Sequence, residues 1–382
     1  MPEFKDKIGA AAGTVEFLYD PATRGIANKI SGSSPGIFAM YMVAVSLDGR
    51  LLLSEIPATG YGVTPVYPQP SVVTYIQSDE QGMWGRNCPA CQKYFRTNYV
   101  LGITCCPYCA ISESGLAFIS KEQRTYITSC YDAFARAYRE KRSTSVEIAD
   151  ITDQTPAWHY SEVKQQFHFK CDTKGCGAET DILGEYGYCP GCNNTNARKL
   201  FGEKIARMLG RVDDTKKRFP ENTPSDRKSR GEVWEELTKG SLSEFEALGK
   251  HLRTKLLLLP MTSRRRNRLK ELNFQTPVPT NEALVEWFDI GIFERVGNPT
   301  TPQRSVPESD LPFIKKMIQK RHILIHNGGL VDQAYLDYSG DAQVVLGERI
   351  SVSSKEAKRF IECVRAMGTI FMDNVEFGFA ED

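Results

Sequence analysis

Apolar residues in the last third of the chain recur every three to four positions, whereas in the first quarter they come in short bursts separated by Gly, Pro and Ser. The first pattern predicts helices and the second predicts strands. Helices are expected near 232–259, 262–272, 280–290 and 310–327, followed by a short strand pair at 344–346 and 349–352 and a last helix over 354–371. In the 310–327 segment Ser309 or Asp310 can cap, Pro312 falls in the first turn, Ile314, Met317, Ile318 and Leu324 make an apolar face, and Gly328-Gly329 stop the helix.

Towards the N-terminus, a weak amphipathic segment covers 4–18 and a Ser/Gly/Pro breaker covers 31–36. Segments 37–47 and 50–55 flank Asp48-Gly49, a strong hairpin signal. Pro57, Pro65, Pro68 and Pro70 predict irregular or edge structure before a strand at 72–76. Ser120 with Gln123 forms a capping box that opens a helix to about residue 142. Its stripe of Tyr126, Ile127, Cys130, Tyr131, Phe134 and Tyr138 reads as core. Between 211 and 231 the apolar period fades, which predicts a linker or exposed helices within 201–231.

At 382 residues the chain accommodates two or three domains. A net charge of +1 means that attraction for nucleic acid has to come from local patches: the run 264–270, Lys216-Lys217-Arg218, and Lys315-Lys316 with Lys320-Arg321. The last run precedes His326 on one helix, which makes it a track for an RNA backbone. There is no secretory signal pattern and no apolar run approaching a membrane span, so the expectation is a cytoplasmic protein without membrane contact.

The eleven cysteines are not spaced as a disulfide framework. Cys88/Cys91 with Cys106/Cys109, and Cys171/Cys176 with Cys189/Cys192, form two sets of paired knuckles suited to tetrahedral Zn²⁺. Each set reads as a zinc ribbon, with Zn²⁺ in a closed structural site. Cys105 competes with Cys106 as ligand, and exchange of knuckles between sets is open at this level. Cys130 and Cys363 read as buried thiols. Lys93, Tyr94, Phe95, Arg96 and Tyr99 interleave cations with aromatics, as a single-strand platform or a small ribbon core does.

The densest cluster of phosphate chemistry is Lys320-Arg321-His322 followed by His326-Asn327. On one helix His322 and His326 share a face, while Arg321 and His326 stand about 140° apart. A second copy of the helix end would therefore complete a site of two histidines and two arginines around one phosphodiester.

Arg321-His322-x-x-x-His326 resembles the R-[polar]-x-x-x-H motif of the HEPN superfamily. Trp234 to Leu237 with Ser243 to Leu248 resembles the long first helix of such domains, Asn273-Phe274-Gln275 the passage into the second half, and Asn327 to Asp332 the turn after the catalytic helix. The resemblance spans about 203–382 and only its core motif is specific.

The resemblance implies a metal-independent endoribonuclease acting through the substrate's 2′-hydroxyl, in a toxin–antitoxin or antiviral-defence setting. His326 and Arg321 would be catalytic, with His322 or Asn327 orienting, Glu246 a first-helix partner for Arg321, and a homodimer as the competent form. The fold expectation is α+β and multidomain: a β-rich segment over 1–85, a double zinc-ribbon module over 86–200 with an inserted helix at 120–142, and an all-helical HEPN-like domain over 232–382. A non-catalytic nucleic-acid- or protein-binding module, or a zinc-ribbon regulator that dimerises through its helices, are the competing readings.

Overall fold

The computed structural model describes residues 13–31, 40–55, 70–78, 81–99, 102–147, 166–220, 223–293 and 306–377. The chain divides into Met1–Asn196, a β-rich unit, and Ala197–Asp382, a helical one. Among the described residues no helix is long and apolar enough to cross a membrane. Most of the 4–18 segment and the proline stretch before residue 70 lie outside the described residues.

Strands β1 (Thr14–Asp20) and β2 (Gly25–Ser31) form a hairpin, and β10 (Thr144–Glu147) adds to its other edge. Strands β3 (Met40–Ser46) and β4 (Leu51–Glu55) meet at the Asp48-Gly49 turn, where Gly49 takes φ +82°, and β5 (Ser71–Gln77) completes a second three-stranded sheet. A third sheet holds β6 (Trp84–Asn87), β7 (Tyr94–Thr97), β11 (Gln166–Lys170) and β12 (Glu179–Leu183). The short pair β8 (Ile103–Cys105) and β9 (Ser112–Ser114) stands alone.

Helix α1 (Lys121–Glu140) starts on the expected capping box: Ser120 Oγ accepts from Gln123 N at 3.2 Å, and Gln123 Oε1 accepts from Ser120 N at 3.3 Å. Tyr126, Ile127, Cys130 and Phe134 are buried with Val15, Phe17, Val43, Val45, Val72 and Ile76, whereas Tyr138 points to solvent. The inserted helix therefore belongs to the core of the first two sheets, not to the cysteine-rich part that flanks it in sequence.

In the helical unit, α2 (Ala197–Arg218) buries Phe201, Ile205 and Val212 against α3 (Pro224–Leu256) and α8 (Ser354–Phe377). Residues 201–218 are thus part of this core. Helices α4 (Ser263–Glu271), α5 (Pro277–Phe288), α6 (Leu311–His326) and α7 (Gln333–Ser339) complete the unit. The 344–352 region is not a strand pair. Val345 and Leu346 are exposed, Gly347 turns with φ +80°, and the segment is tied to 329–331 by backbone bonds such as Val331 N to Glu348 O at 2.8 Å. Only the second run turns side chains inward, at Ile350 and Val352, and its backbone is satisfied by the turn and by 329–331 instead of by a strand at 344–346.

The connector 272–276 is set by Phe274, buried between Phe245 and Phe371 at ring separations of 6.4 and 5.7 Å. This packing requires Gly249 on α3, because a Cβ there would fall inside the Phe274 ring. Alanine is intrinsically the better helix former by about 1 kcal/mol. Gly249→Ala is nevertheless expected to destabilise the helical unit by about 1–3 kcal/mol through overpacking, read as a lower urea midpoint.

His251, one turn from the start of that contact, is pushed down to about 3 from 6.5 by burial and then by the Lys255 charge. Its folded value lies below its unfolded one, so the unfolded chain takes up the extra proton between them. The stability gained by keeping it neutral is present above about pH 6.5 and is lost as pH falls toward 3, at up to ~1.4 kcal/mol per pH unit. Urea midpoints of the helical unit should therefore fall from pH 7 to pH 4, with a shallower fall in His251→Gln.

Candidate active site and metal centres

Helix α6 buries Ile314, Met317, Ile318, Arg321 and Leu324 along one stripe, with Lys320 and Ile323 beside it. The stripe follows the 3.6-residue period, so the apolar pattern itself carries Arg321 inward. His322 and His326 lie on the opposite, exposed face with ring centroids 4.7 Å apart.

Arg321 is only 8% exposed. Its Nη1 donates to Gln275 Oε1 at 3.1 Å, and Gln275 Nε2 donates to Glu246 Oε2 at 2.7 Å. Lys250, one turn along α3, pairs with the other Glu246 oxygen at 2.6 Å. Burial pushes the Glu246 carboxyl up, but the bonds from Lys250 and Gln275 and the charge of Arg321 outweigh it and hold the group below its ordinary value. Burial draws Arg321 below its ordinary value, and Glu246 opposes this.

Thus Glu246 meets Arg321 through a neutral amide, not through a direct ion pair. The guanidinium Nε is buried and has no hydrogen-bond partner among the described residues. A desolvated cation with spare donors is costly unless an anion comes to it.

The other predicted residues are placed differently. Asn327 Nδ2 donates to Leu330 O at 2.8 Å, closing the turn after α6, where Gly328 and Gly329 take φ +58° and +82°. Lys320 is buried, bonded to Ser351 O at 3.0 Å and to Glu356 at 2.9 Å, and Lys316 reaches the same carboxylate at 3.5 Å. Lys316 and Lys320 therefore make no backbone track, because Glu356 engages both and fastens α6 to α8, and Lys315 is the lysine of α6 that stays exposed. Gln275 carries no local signal in the sequence, because a Gln after an aromatic residue fits any exposed turn; its role comes from the two partners that the fold brings to it.

In the β-rich unit the sulfur atoms of Cys88, Cys91, Cys106 and Cys109 gather within 4.8 Å of one another, and those of Cys171, Cys176, Cys189 and Cys192 do the same. The sets close internally, with no exchange of knuckles. Sulfur separations of 3.6 and 3.7 Å in the first and 3.5 and 3.5 Å in the second come close to the roughly 3.8 Å edge of a tetrahedron with ~2.3 Å metal–sulfur bonds. Contact with Cys109 and then Cys88 pushes the Cys106 thiol far up, while contact with Cys106 and then Cys109 draws Cys88 down to about 7. A bound cation removes that mutual opposition. Cys105 is not a ligand: its thiol donates to Asn193 Oδ1 at 3.0 Å.

The two centres are related by a pseudo-two-fold arrangement. The sheet order β11-β12-β7-β6 is palindromic about the antiparallel β12/β7 contact, where Asp181 faces Arg96. That pair is buried and ion-paired at 2.9 Å, and His168 Nδ1 reaches the second Asp181 oxygen at 2.7 Å. The second knuckles exchange backbone bonds reciprocally: Cys105 N to Pro190 O at 2.9 Å and Tyr188 N to Pro107 O at 3.0 Å. Ala110 and Asn193, which follow the last ligands, share φ of 59° and 60°. Phe95 and Arg96 are consumed by this core, and Lys93 lies over Tyr108 at 5.0 Å, so the aromatic run forms the interior of the paired centres, not a stacking platform.

Because the knuckles hold each other, loss of one metal should loosen the other. Protein purified without chelator is expected to carry about two metal ions per chain by elemental analysis, and Cys189→Ala to retain fewer than one. A Cys189→Ala protein that keeps one full equivalent at wild-type affinity would show the centres to be independent.

No protein-family model, no curated protein and no solved structure matches this chain.

Proposed function

We propose that the helical unit is a metal-independent endoribonuclease of HEPN type, and that the two cysteine sets hold structural Zn²⁺ in a double zinc ribbon. The reading rests above all on Arg321, a largely buried guanidinium that spends one donor on a neutral amide, keeps Nε unpartnered, and shares α6 with two exposed histidines. Such an unmatched cation suits a phosphate with developing charge.

In this mechanism the substrate's 2′-hydroxyl attacks the adjacent phosphorus and the 5′-oxygen leaves. His326 takes the hydroxyl proton, and the His326 of a second copy delivers a proton to the leaving oxygen. Arg321 stabilises the charge on the non-bridging oxygens. His322 lies against His326 and sets its orientation. Glu246 acts one step removed, through Gln275, by fixing the guanidinium. The inward turn of Arg321 and the outward turn of the histidines follow from their five-residue separation, so one helix end is incomplete and a two-fold homodimer supplies the rest. The biological setting implied by the motif is a toxin or antiviral effector.

His326→Ala should abolish RNA cleavage with a stability change within about 0.5 kcal/mol, since the side chain is exposed. Arg321→Lys should lose roughly 10²-fold or more, because an ammonium lacks the planar fork. Products should end in 2′,3′-cyclic phosphate and 5′-hydroxyl, a deoxy residue at the scissile position should block cutting, and light scattering should report a dimer. Comparable cleavage of single-stranded DNA, or dependence on free divalent metal, would refute the mechanism.

A further inference from the structure

Helix α4 has the sequence Ser-Arg-Arg-Arg-Asn-Arg-Leu-Lys-Glu and buries only Leu269. Crowding five cations onto nine residues opposes helix formation, and Thr262 as N-cap together with Arg253 bonded to Lys270 O and Leu272 O holds the helix against that repulsion. One of the five is structural, since Arg266 Nη1 donates to Leu257 O at 2.8 Å. Arg264, Arg265 and Arg268 are exposed and make no ion pair among the described residues. This contrasts with Lys316 and Lys320 of α6, which are paired to Glu356.

Arg264, Asn267, Arg268 and Glu271 share one face of α4, at spacings of three, four and seven. That face and Trp287 of α5 line a cavity of about 520 Å³. The Arg264 guanidinium lies over the Trp287 ring at 5.2 Å from its centroid. The volume falls in the range of small-ligand sites, roughly 300–1,000 Å³. Along the helix the wall presents Arg264, then Asn267 and Arg268 about one turn on, then Glu271, about 10 Å from the level of Arg264 at 1.5 Å per residue. A nucleotide carries the complementary groups: phosphate oxygens for the guanidiniums, a flat base for the indole, and N–H and O–H donors for the amide and carboxylate.

We infer that this cavity is a binding subsite for one nucleotide of single-stranded RNA, with the base stacked on Trp287, the phosphates on Arg264 and Arg268, the base edge on Asn267 and the ribose or amino donors on Glu271. Stacking on tryptophan is open to any base, and arginine forks suit phosphate oxygens, so the subsite holds a strand without fixing its sequence. Its link to cleavage rests on the ribonuclease reading: α4 and α5 are joined by 272–276, the connector whose Gln275 holds Arg321.

The experiment measures binding of a short, fluorescein-labelled, single-stranded RNA with 2′-O-methyl ribose throughout, which cannot be cut, to the full chain by anisotropy. Arg264→Gln/Arg268→Gln should weaken binding about ten- to hundredfold and lower the slope of log affinity against log salt by about 1–2. Trp287→Ala should lose a similar factor, and Trp287→Phe should keep most of the affinity. The two arginines are exposed, so the double variant is expected to fold, and circular dichroism checks it. Wild-type affinity and salt slope in the double variant would overturn the subsite, as would preference for an acidic peptide over RNA. Cleavage by wild type is scored separately on an all-ribose strand. Binding at the subsite without any cleavage leaves the inference standing and removes the ribonuclease reading; cleavage with undiminished binding in the variants does the reverse.

Discussion

The helical unit is organised around a largely buried guanidinium. Arg321 is carried inward by the apolar period of α6, and its charge is met at one remove by Glu246 through the Gln275 amide. That relay joins α3, the 272–276 connector and α6. The connector is anchored by apolar packing, since Gly249 admits the Phe274 ring and the next residue is Gln275, with Arg253 bonded to Leu272 O beside it. A buried cation held by a neutral group is a poor device for stability. It leaves a field of positive charge directed toward whatever anion arrives, and that makes the arrangement intelligible.

The β-rich unit meets a different constraint. Its third sheet has strands of four or five residues and a small apolar core around Phe95, Phe118, Phe169 and Ile182. Cores of that size rarely suffice without staples, and two tetrahedral cysteine centres supply them. The reciprocal bonds of the second knuckles and the Arg96–Asp181 pair across the β7/β12 contact make the two centres one structural object.

What the sequence disclosed follows from the range of the interactions involved. Capping, hairpin and knuckle signals are local, so the Ser120 box, the Asp48-Gly49 turn and the eight ligand positions could be read directly. The divergence of Arg321 from His326 was legible as well, since helix geometry fixes the angle, whereas the burial of Arg321 is set by packing. Pairings between distant segments were not. Nothing near Lys320 announces Glu356, nothing near Arg96 announces Asp181, and nothing near Gln275 announces that it links Glu246 to Arg321. The strand pair expected at 344–352 failed for a related reason: a β-rich run of three residues has no register until a partner strand is supplied, and here the partners are loop carbonyls and amides.

The same distinction sorts the charges. With a net charge of +1, the chain has no general attraction for nucleic acid, and its basic runs looked equivalent in sequence. In the folded unit they are not equivalent, because a cation that has met a carboxylate contributes little field beyond a few ångströms, while one left alone beside an aromatic face contributes all of it. Lys316 and Lys320 fall in the first group, Arg264 and Arg268 in the second. The positive potential has been moved from the helix that carries His326 to the one that precedes Gln275. Under the proposed ribonuclease reading, a strand drawn to α4 lies beside the segment that positions Arg321, so gripping and cutting are assigned to separate elements.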